Sequence, residues 1–260
     1  MQVTNTGSRL SLDRAQANQA TQTQNLSSGK RINSAKDDAA GLVISTGLES
    51  QNRALGAALR NSFDGISRLQ VEDAALSSVG EDLQRIRELK VQQQNGILSE
   101  GDTQALQAEI DQRLESIDSV FKQSDFNGQS LFKSGQMTIQ SGANAGQTIE
   151  INSQDLSAQF SLIGVSAGDD LELDALDEAL QMVSTRRSDL GALENRLQGN
   201  TEFLALKSEV NQSANSRIRD TDFAQSVSQK NKADVQFKVA VAVQGQANAN
   251  QQDVLRLLKP

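Results

Sequence analysis

Apolar residues recur along most of this chain at spacings of three, four and seven. From Ala39 to about Gln94 the series is Leu48, Leu55, Leu59, Ile66, Leu69, Leu76, Leu83 and Ile86, the seam of a coiled coil or helical bundle. Gly56, Gly65 and Gly80 each lower helix propensity by about 1 kcal/mol relative to Ala, and the good helix formers between them carry the helix through. Asn95-Gly96 to Gly101-Asp102 breaks it. A second helix over 102–124 places Leu106, Ile110, Leu114, Ile117 and Phe121 on one stripe and ends before Asp125-Phe126-Asn127-Gly128. The period then shortens to two. Met137–Gln140 and Thr148–Ile151 flank a glycine-containing loop at 142–146, which predicts a β-hairpin near 136–151. Residues 152–168 read as irregular. A long helix over 170–211 follows, starting at Asp169-Asp170 and carrying Leu173, Leu176, Leu180, Val183, Leu190, Leu193, Leu197 and Leu204. A joint at 216–220 leads to a last amphipathic helix. At the other end, residues 1–28 are polar with sparse apolar positions, which predicts a weak helix from about residue 8 that Gly29 interrupts. Asn33–Asp38 then reads as a turn into a capped helix start.

A helix over 39–94 would be about 80 Å long at about 1.5 Å per residue, so it needs partners along its length, and 102–124 and 170–211 supply them. The predicted fold is mainly α: an elongated antiparallel helical bundle or coiled coil with a small β-hairpin near one end, and N- and C-terminal helices paired. The pairing groups 1–38 with 212–260 and leaves 39–211 as a second domain. The terminal segments are marginal as isolated helices, because nucleation is costly and they are polar. Leu10, Leu12, Leu26, Val239, Val243 and Leu255 are expected to form the terminal-helix assembly seam. Both arms are expected to be disordered in the monomer and to fold against each other and against neighbouring copies.

Composition narrows the chemistry. The single Pro is Pro260, so nothing upstream breaks a helix in that way. Only 3% of residues are aromatic, with no Trp or Tyr, which argues against a round core built on large rings. The protein has no His and no Cys, which removes the commonest general base, Ser–His arrangements and zinc sites. Ser27-Ser28-Gly29-Lys30-Arg31 fails as a phosphate loop, lacking the earlier Gly and the final Ser or Thr. Asp37-Asp38 and Asp169-Asp170 read as helix caps rather than catalytic pairs. No enzyme activity, cofactor or metal is expected. A net charge of −8 is a poor match for nucleic acid, and no apolar run is long enough to span a membrane. The N-terminus lacks the features of an ordinary cleaved signal peptide. On pattern alone, a polymer subunit and a soluble coiled-coil scaffold fit equally well.

Several runs decide between them. Leu26–Gly41 (LSSGKRINSAKDDAAG), Arg60–Ser67 (RNSFDGIS), Leu83–Leu89 and Asp125–Gly128 resemble bacterial flagellin, as do Ser216–Ala224 (SRIRDTDFA) and Gln246–Asn248 with Val254-Leu255. They stand in the family's order at both ends of the chain. The resemblance implies a short, core-only flagellin: a homopolymer subunit of the extracellular flagellar filament for swimming. The terminal helices would form an inner tube and the bundle an outer one. It implies export through the flagellar secretion channel. Expected partners are other copies, an export chaperone, and the filament cap and junction proteins. It also implies an innate immune receptor surface at Arg85, Leu89, Gln92 and Glu109, which subunit packing in the filament would share. A hook–filament junction protein is the nearest alternative.

Overall fold

The computed structural model describes residues 2–165 and 171–257. In chain order the elements are α1 (Gln2–Ser28), α2 (Ala39–Gln93), α3 (Glu100–Gln123), β1 (Asp125–Phe126), β2 (Gln129–Ser130), β3 (Gly135–Gln140), β4 (Thr148–Ser153), α4 (Leu156–Leu162), α5 (Leu173–Arg219) and α6 (Phe223–Leu257). The fold is mainly helical, with small antiparallel sheets. Contacts group the protein into two units, Met1–Asn52 with Glu209–Pro260, and Arg53–Ser208. These divisions fall inside α2 and α5, whereas the sequence pattern places them at 38/39 and 211/212. No helix among the described residues is long and apolar enough to cross a membrane.

In the second unit the heptad of α2 runs Leu55, Ser62, Leu69, Leu76 and Leu83, each at most 1% exposed. Leu176, Val183, Leu190, Leu197 and Leu204 give α5 the same seven-residue repeat, and all are buried. The helices run antiparallel, as their cross-pairs show. Arg87 Nε lies 2.6 Å from Asp177 Oδ1, and Arg187 Nε lies 2.8 Å from Asp73 Oδ1. These pairs are close to half exposed and screened by solvent, so they contribute little; the apolar seam supplies the stability. α3 packs antiparallel to α2 with Ile110, Leu114, Ile117 and Phe121 buried, the stripe that periodicity predicts. Ser99 and Asp102 close a reciprocal capping box at its start.

The predicted hairpin is β3–β4, with Ile139 opposite Ile149 and Met137 opposite Ile151. Ile139, Ile149 and Ile151 join the core. Two elements have no counterpart in the sequence pattern. Asp125–Ser130, which reads only as a helix stop, forms a miniature β1–β2 hairpin with Phe126 opposite Gln129. Within 152–168, which reads as irregular, Leu156–Leu162 is helical: Asp155 caps it by accepting from Ala158 N–H at 2.9 Å, and Leu156 and Phe160 are buried one turn apart. Both are too short to show a period. The expected helix start at Asp169-Asp170 lies outside the described residues.

Gly65 lets the hairpin reach α2. A Cβ there would sit 2.3 Å from Ile139 Cδ1 and 3.3 Å from Leu197 Cδ1. Overpacking costs about 1–3 kcal/mol, which outweighs the roughly 1 kcal/mol of helix propensity that alanine returns. Gly65→Ala is therefore expected to destabilise the fold. Combined with Ile139→Val, which removes the clashing carbon, it should cost about 1 kcal/mol less than the two single changes added together. Urea unfolding of the four variants measures this, and strict additivity would refute the contact.

Candidate functional site

The surfaces that bear on assembly begin with the terminal pair. α1 and α6 run antiparallel in the first unit: Ser8 Oγ donates to Gln244 Oε1, and Gln19 Nε2 donates to Asp234 Oδ1 at 2.9 Å. The less exposed positions of α6 include a four–three alternation, Ser226, Lys230, Ala233, Phe237, Ala240 and Gln244, with Val227 and Asp234 beside it. On α1 the matching set is Ser8, Leu12, Ala15, Gln19, Gln22 and Leu26. This is coiled-coil spacing, filled mostly by small and polar side chains. Only Ala15, Ser226 and Ala233 are fully buried.

The expected assembly residues divide between two faces. Leu12 and Leu26 lie in the α1–α6 contact, half-buried. Leu10, Val239 and Val243 do not: they are 51%, 56% and 52% exposed and face away from the partner helix. The Leu255 side chain lies outside the described residues. With Val235, also exposed, Val239 and Val243 form an i, i+4, i+8 stripe, one face of a helix. The expected seam weighs only large aliphatic residues. The repeat of Ala, Ser and Gln at 226, 233, 240 and 244 is the signal in the sequence, and it marks a close, weakly apolar helix contact instead.

The joint between the arms is built by hydrogen bonds. Gly29 ends α1 with φ +67°, a left-handed conformation that glycine adopts freely, and its carbonyl accepts from Thr221 N–H at 3.1 Å. Arg31 N–H donates to Arg219 O at 2.7 Å, and the Arg31 guanidinium to Ile218 O at 2.6 Å. Ile32 is 1% exposed beneath them. Asp37 accepts from the backbone N–H groups of Asn33 and Ser34, at 3.0 and 2.9 Å, and these hold its carboxyl below the ordinary range. Asp38 caps α2 by accepting from Gly41 N–H at 2.8 Å. The run RINSAKDDAAG is thus a wired turn, as its capping reading requires. On α5 the leucine repeat that passes through Leu197 and Leu204 continues as Asn211. Asn211 Nδ2 and Asn215 Oδ1 are buried without a protein partner, and both residues line a polar cavity of about 170 Å³.

Asp234 links charge to pairing. The Lys230 ammonium at 2.7 Å, and then the Gln19 amide, hold its carboxyl below the ordinary range. A depressed folded-state pKa contributes stability above the unfolded value and loses it as pH falls through the folded one. Acidification below the normal carboxylate range is therefore expected to weaken the α1–α6 pair. Amide exchange across Gln2–Ser28 should accelerate at acid pH relative to the intrinsic rate, and less so in Asp234→Asn. Equal acceleration in both proteins would refute the role.

The second expected surface lies on α2 and α3. Arg85 is exposed and bonds Glu109 Oε1 through Nε at 3.0 Å and Glu88 through Nη1 at 3.2 Å. Gln92 is exposed and Glu109 half-exposed. Leu89 is not on this surface: it is 1% exposed in the core. A four-residue step turns the helix only about 40°, enough to carry position 89 from the rim marked by Arg85 into the seam.

The terminal pair, wired joint and heptad bundle have known counterparts. Residues 2–138 match the bacterial flagellin N-terminal helical region, and residues 173–258 match the bacterial flagellin C-terminal helical region. Flagellin of Halalkalibacterium halodurans is 41% identical over 248 residues, covering 91% of this chain and 90% of that one. The chain belongs to the bacterial flagellin family. Flagellin of Bacillus subtilis is 34% identical over 294 residues, covering 95% of this chain and 96% of that protein. The flagellar filament 31.3 kDa core protein of Treponema maltophilum is 34% identical over 264 residues, with 93% and 92% covered. The crystal structure of Bacillus cereus flagellin aligns with a TM-score of 0.51 at 29% identity, covering 55% of this chain and 88% of that one. Flagellins are structural proteins, and membership makes this chain a structural subunit of the bacterial flagellar filament.

Proposed function

We propose that the protein polymerises through its two terminal helices, whose outward aliphatic residues are covered by neighbouring copies. The observation that carries this reading is the placement of the valines. Val235, Val239 and Val243 are each more than half exposed, while Ala, Ser and Gln fill the contact with α1. An apolar stripe left uncovered on a helix is a surface for another molecule, and a seam this polar leaves each arm marginal until that molecule arrives. On this reading the segments 1–38 and 212–260 form the inner part of the filament and 39–211 the outer part. The subunit then works mechanically, with no catalysis.

The test is Val239→Asp with Val243→Asp. Both sites are on the surface of the monomer, so helix content by circular dichroism is expected to match wild type. Burying two carboxylates between copies costs several kcal/mol, so seeding or salting-out is expected to give no filaments in electron micrographs. Filaments of normal length from the double variant would refute the reading.

The finer partners rest on the same family reading. The protein would leave the cell unfolded through the flagellar secretion channel, assisted by an export chaperone; without cysteine it cannot form a disulfide that would block passage. Filament cap and junction proteins would meet its ends. An innate immune receptor would meet Arg85, Gln92 and Glu109, with Leu89 supporting that face from within. A receptor carboxylate would have to displace Glu109 and Glu88 from the Arg85 fork. Arg85→Ala with an undiminished receptor response would remove this surface.

A further inference from the structure

We propose that Asn95 is a site of spontaneous covalent ageing, in which its terminal amide is lost through a succinimide to give aspartate and isoaspartate. The sequence has two Asn–Gly pairs, Asn95-Gly96 and Asn127-Gly128, and both asparagines are exposed. The structure separates them by what the following nitrogen is free to do. In the reaction the Gly backbone nitrogen attacks the Asn Cγ. A bond forms between that nitrogen and Cγ, the Cγ–Nδ2 bond of the asparagine breaks, and ammonia leaves. Water then opens the five-membered ring at either carbonyl, giving aspartate or isoaspartate.

At Asn95 one backbone hydrogen bond, from Leu98 N–H to the Asn95 carbonyl, stands against the attack. The residue lies in the irregular link between α2 and α3. Its own N–H donates to Gln92 O at 3.1 Å and its carbonyl accepts from Leu98 N–H at 3.2 Å. Gly96 N–H donates to no described group, and a Cβ built on Gly96 would meet nothing within 4 Å. Rotation of Gly96 N towards Asn95 Cγ therefore releases the bond from Leu98 N–H to the Asn95 carbonyl, but none made by Gly96 N itself. Asn127-Gly128 is held otherwise. It forms the loop between the paired residues Phe126 and Gln129, with φ +53° at Asn127 and +75° at Gly128. Gly128 N–H donates to Asp125 Oδ1 at 3.3 Å. Attack there requires the hairpin turn to open first, a local unfolding step that lowers the reactive population. Asn33-Ser34 is held more tightly still. The Asn33 amide donates to Asn25 Oδ1 and Lys30 O, and Ser34 N–H to Asp37 Oδ2.

The product changes the link between the helices. A negative charge appears just beyond the C-terminal end of α2, where the helix dipole disfavours it. In isoaspartate the backbone runs through Cγ, and the oxygen that accepts from Leu98 becomes part of a free carboxylate.

The experiment incubates the full-length folded protein in mildly alkaline buffer and quantifies amide loss and isoaspartate at both sites by peptide mapping. Asn95 is expected to convert at least about ten-fold faster than Asn127. In concentrated urea the two rates are expected to converge, because the hairpin no longer protects Gly128. Gly96→Val, which crowds the attacking nitrogen, is expected to slow Asn95 conversion with the fold unchanged by circular dichroism. Equal rates in the folded protein, faster loss at Asn127, or an Asn95 rate unchanged in Gly96→Val would overturn the proposal.

Discussion

Glu72→Ala is expected to destabilise the Arg53–Ser208 unit by about 3–5 kcal/mol, the cost of stranding buried charge. Glu72 is 1% exposed and stands between two buried guanidiniums, Arg68 at 5% and Arg186 at 4% exposure. Arg186 Nε donates to Glu72 Oε1 at 2.8 Å, and Arg68 Nη1 to Oε2 at 3.2 Å. The second Arg68 arm donates to Ser153 Oγ on β4 at 2.7 Å. One carboxylate thus serves two cations, and burial already presses the Arg68 pKa down against the pull of Glu72. Alanine at position 72 would leave two like charges in the interior with only a hydroxyl between them. Glu72→Gln keeps one acceptor oxygen, so it is expected to retain hydrogen bonds to one guanidinium only and no charge balance, and to lose less than alanine. A triple replacement, Arg68→Met, Glu72→Leu and Arg186→Leu, removes all the charge and is expected to be near neutral or to gain about 1–4 kcal/mol. Urea unfolding followed by circular dichroism measures all three. A Glu72→Ala protein as stable as wild type would mean that the triad is not closed in solution.

The triad also has a specifying role that a leucine layer would lack. It ties α2, α5 and β4 at one level, and a one-turn slip of either helix would separate Glu72 from Arg186. Polar groups at single seam positions fix register in coiled coils at a cost in stability. The layers of Leu55, Leu69, Leu76 and Leu83 on α2 are aliphatic and alone would tolerate a shifted pairing; Ser62, which accepts from Asn200 Nδ2 at 3.2 Å, is a second buried polar position between them.

The bundle is legible in the sequence because its signal is redundant. Leu69, Leu76 and Leu83 repeat a core position at every second turn, and the same repeat on α5 supplies the partner, so no single residue decides the reading. The β3–β4 hairpin is legible through alternation at Ile139, Ile149 and Ile151. Part of what fails to show is carried by residues that a search for apolar side chains passes over. Glu72 and Arg186 occupy heptad core positions, yet as charges they look like surface. Ala233 and Ala240 make the α1–α6 contact, while the larger Val239 and Val243 face outward. Leu89 keeps helical step with Arg85 yet is buried, because position in the repeat outweighs nearness in sequence. The four residues of a β1–β2 ladder and the seven of α4 are below the length at which a period can be read.

Phe121→Ala tests how that unread region is attached, with an expected loss of about 3–5 kcal/mol. Phe121 sits in the last turn of α3, 4% exposed. Its ring meets Phe132 edge-on with centroids 5.0 Å apart and Phe160 at 5.3 Å. Phe132 follows β2 and Phe160 belongs to α4, so one ring joins three segments that are separate in sequence. Each edge-to-face pair is worth about 0.5–1.5 kcal/mol beyond the area it buries. In a protein with 8 Phe and no Trp or Tyr, no other ring type can take its place. A cleft of about 270 Å³ already lies beside Phe121, Phe160 and Val165, and truncating the ring would enlarge it. The loss is expected to be local. Amide exchange should rise across β1 to α4, while the leucine layers of α2 and α5 retain protection. Phe121→Leu keeps the burial but not the ring geometry and should cost less than half as much. Unchanged exchange across 125–162 in Phe121→Ala would show that the hairpins and α4 are held by their own contacts with α2 and not through this ring.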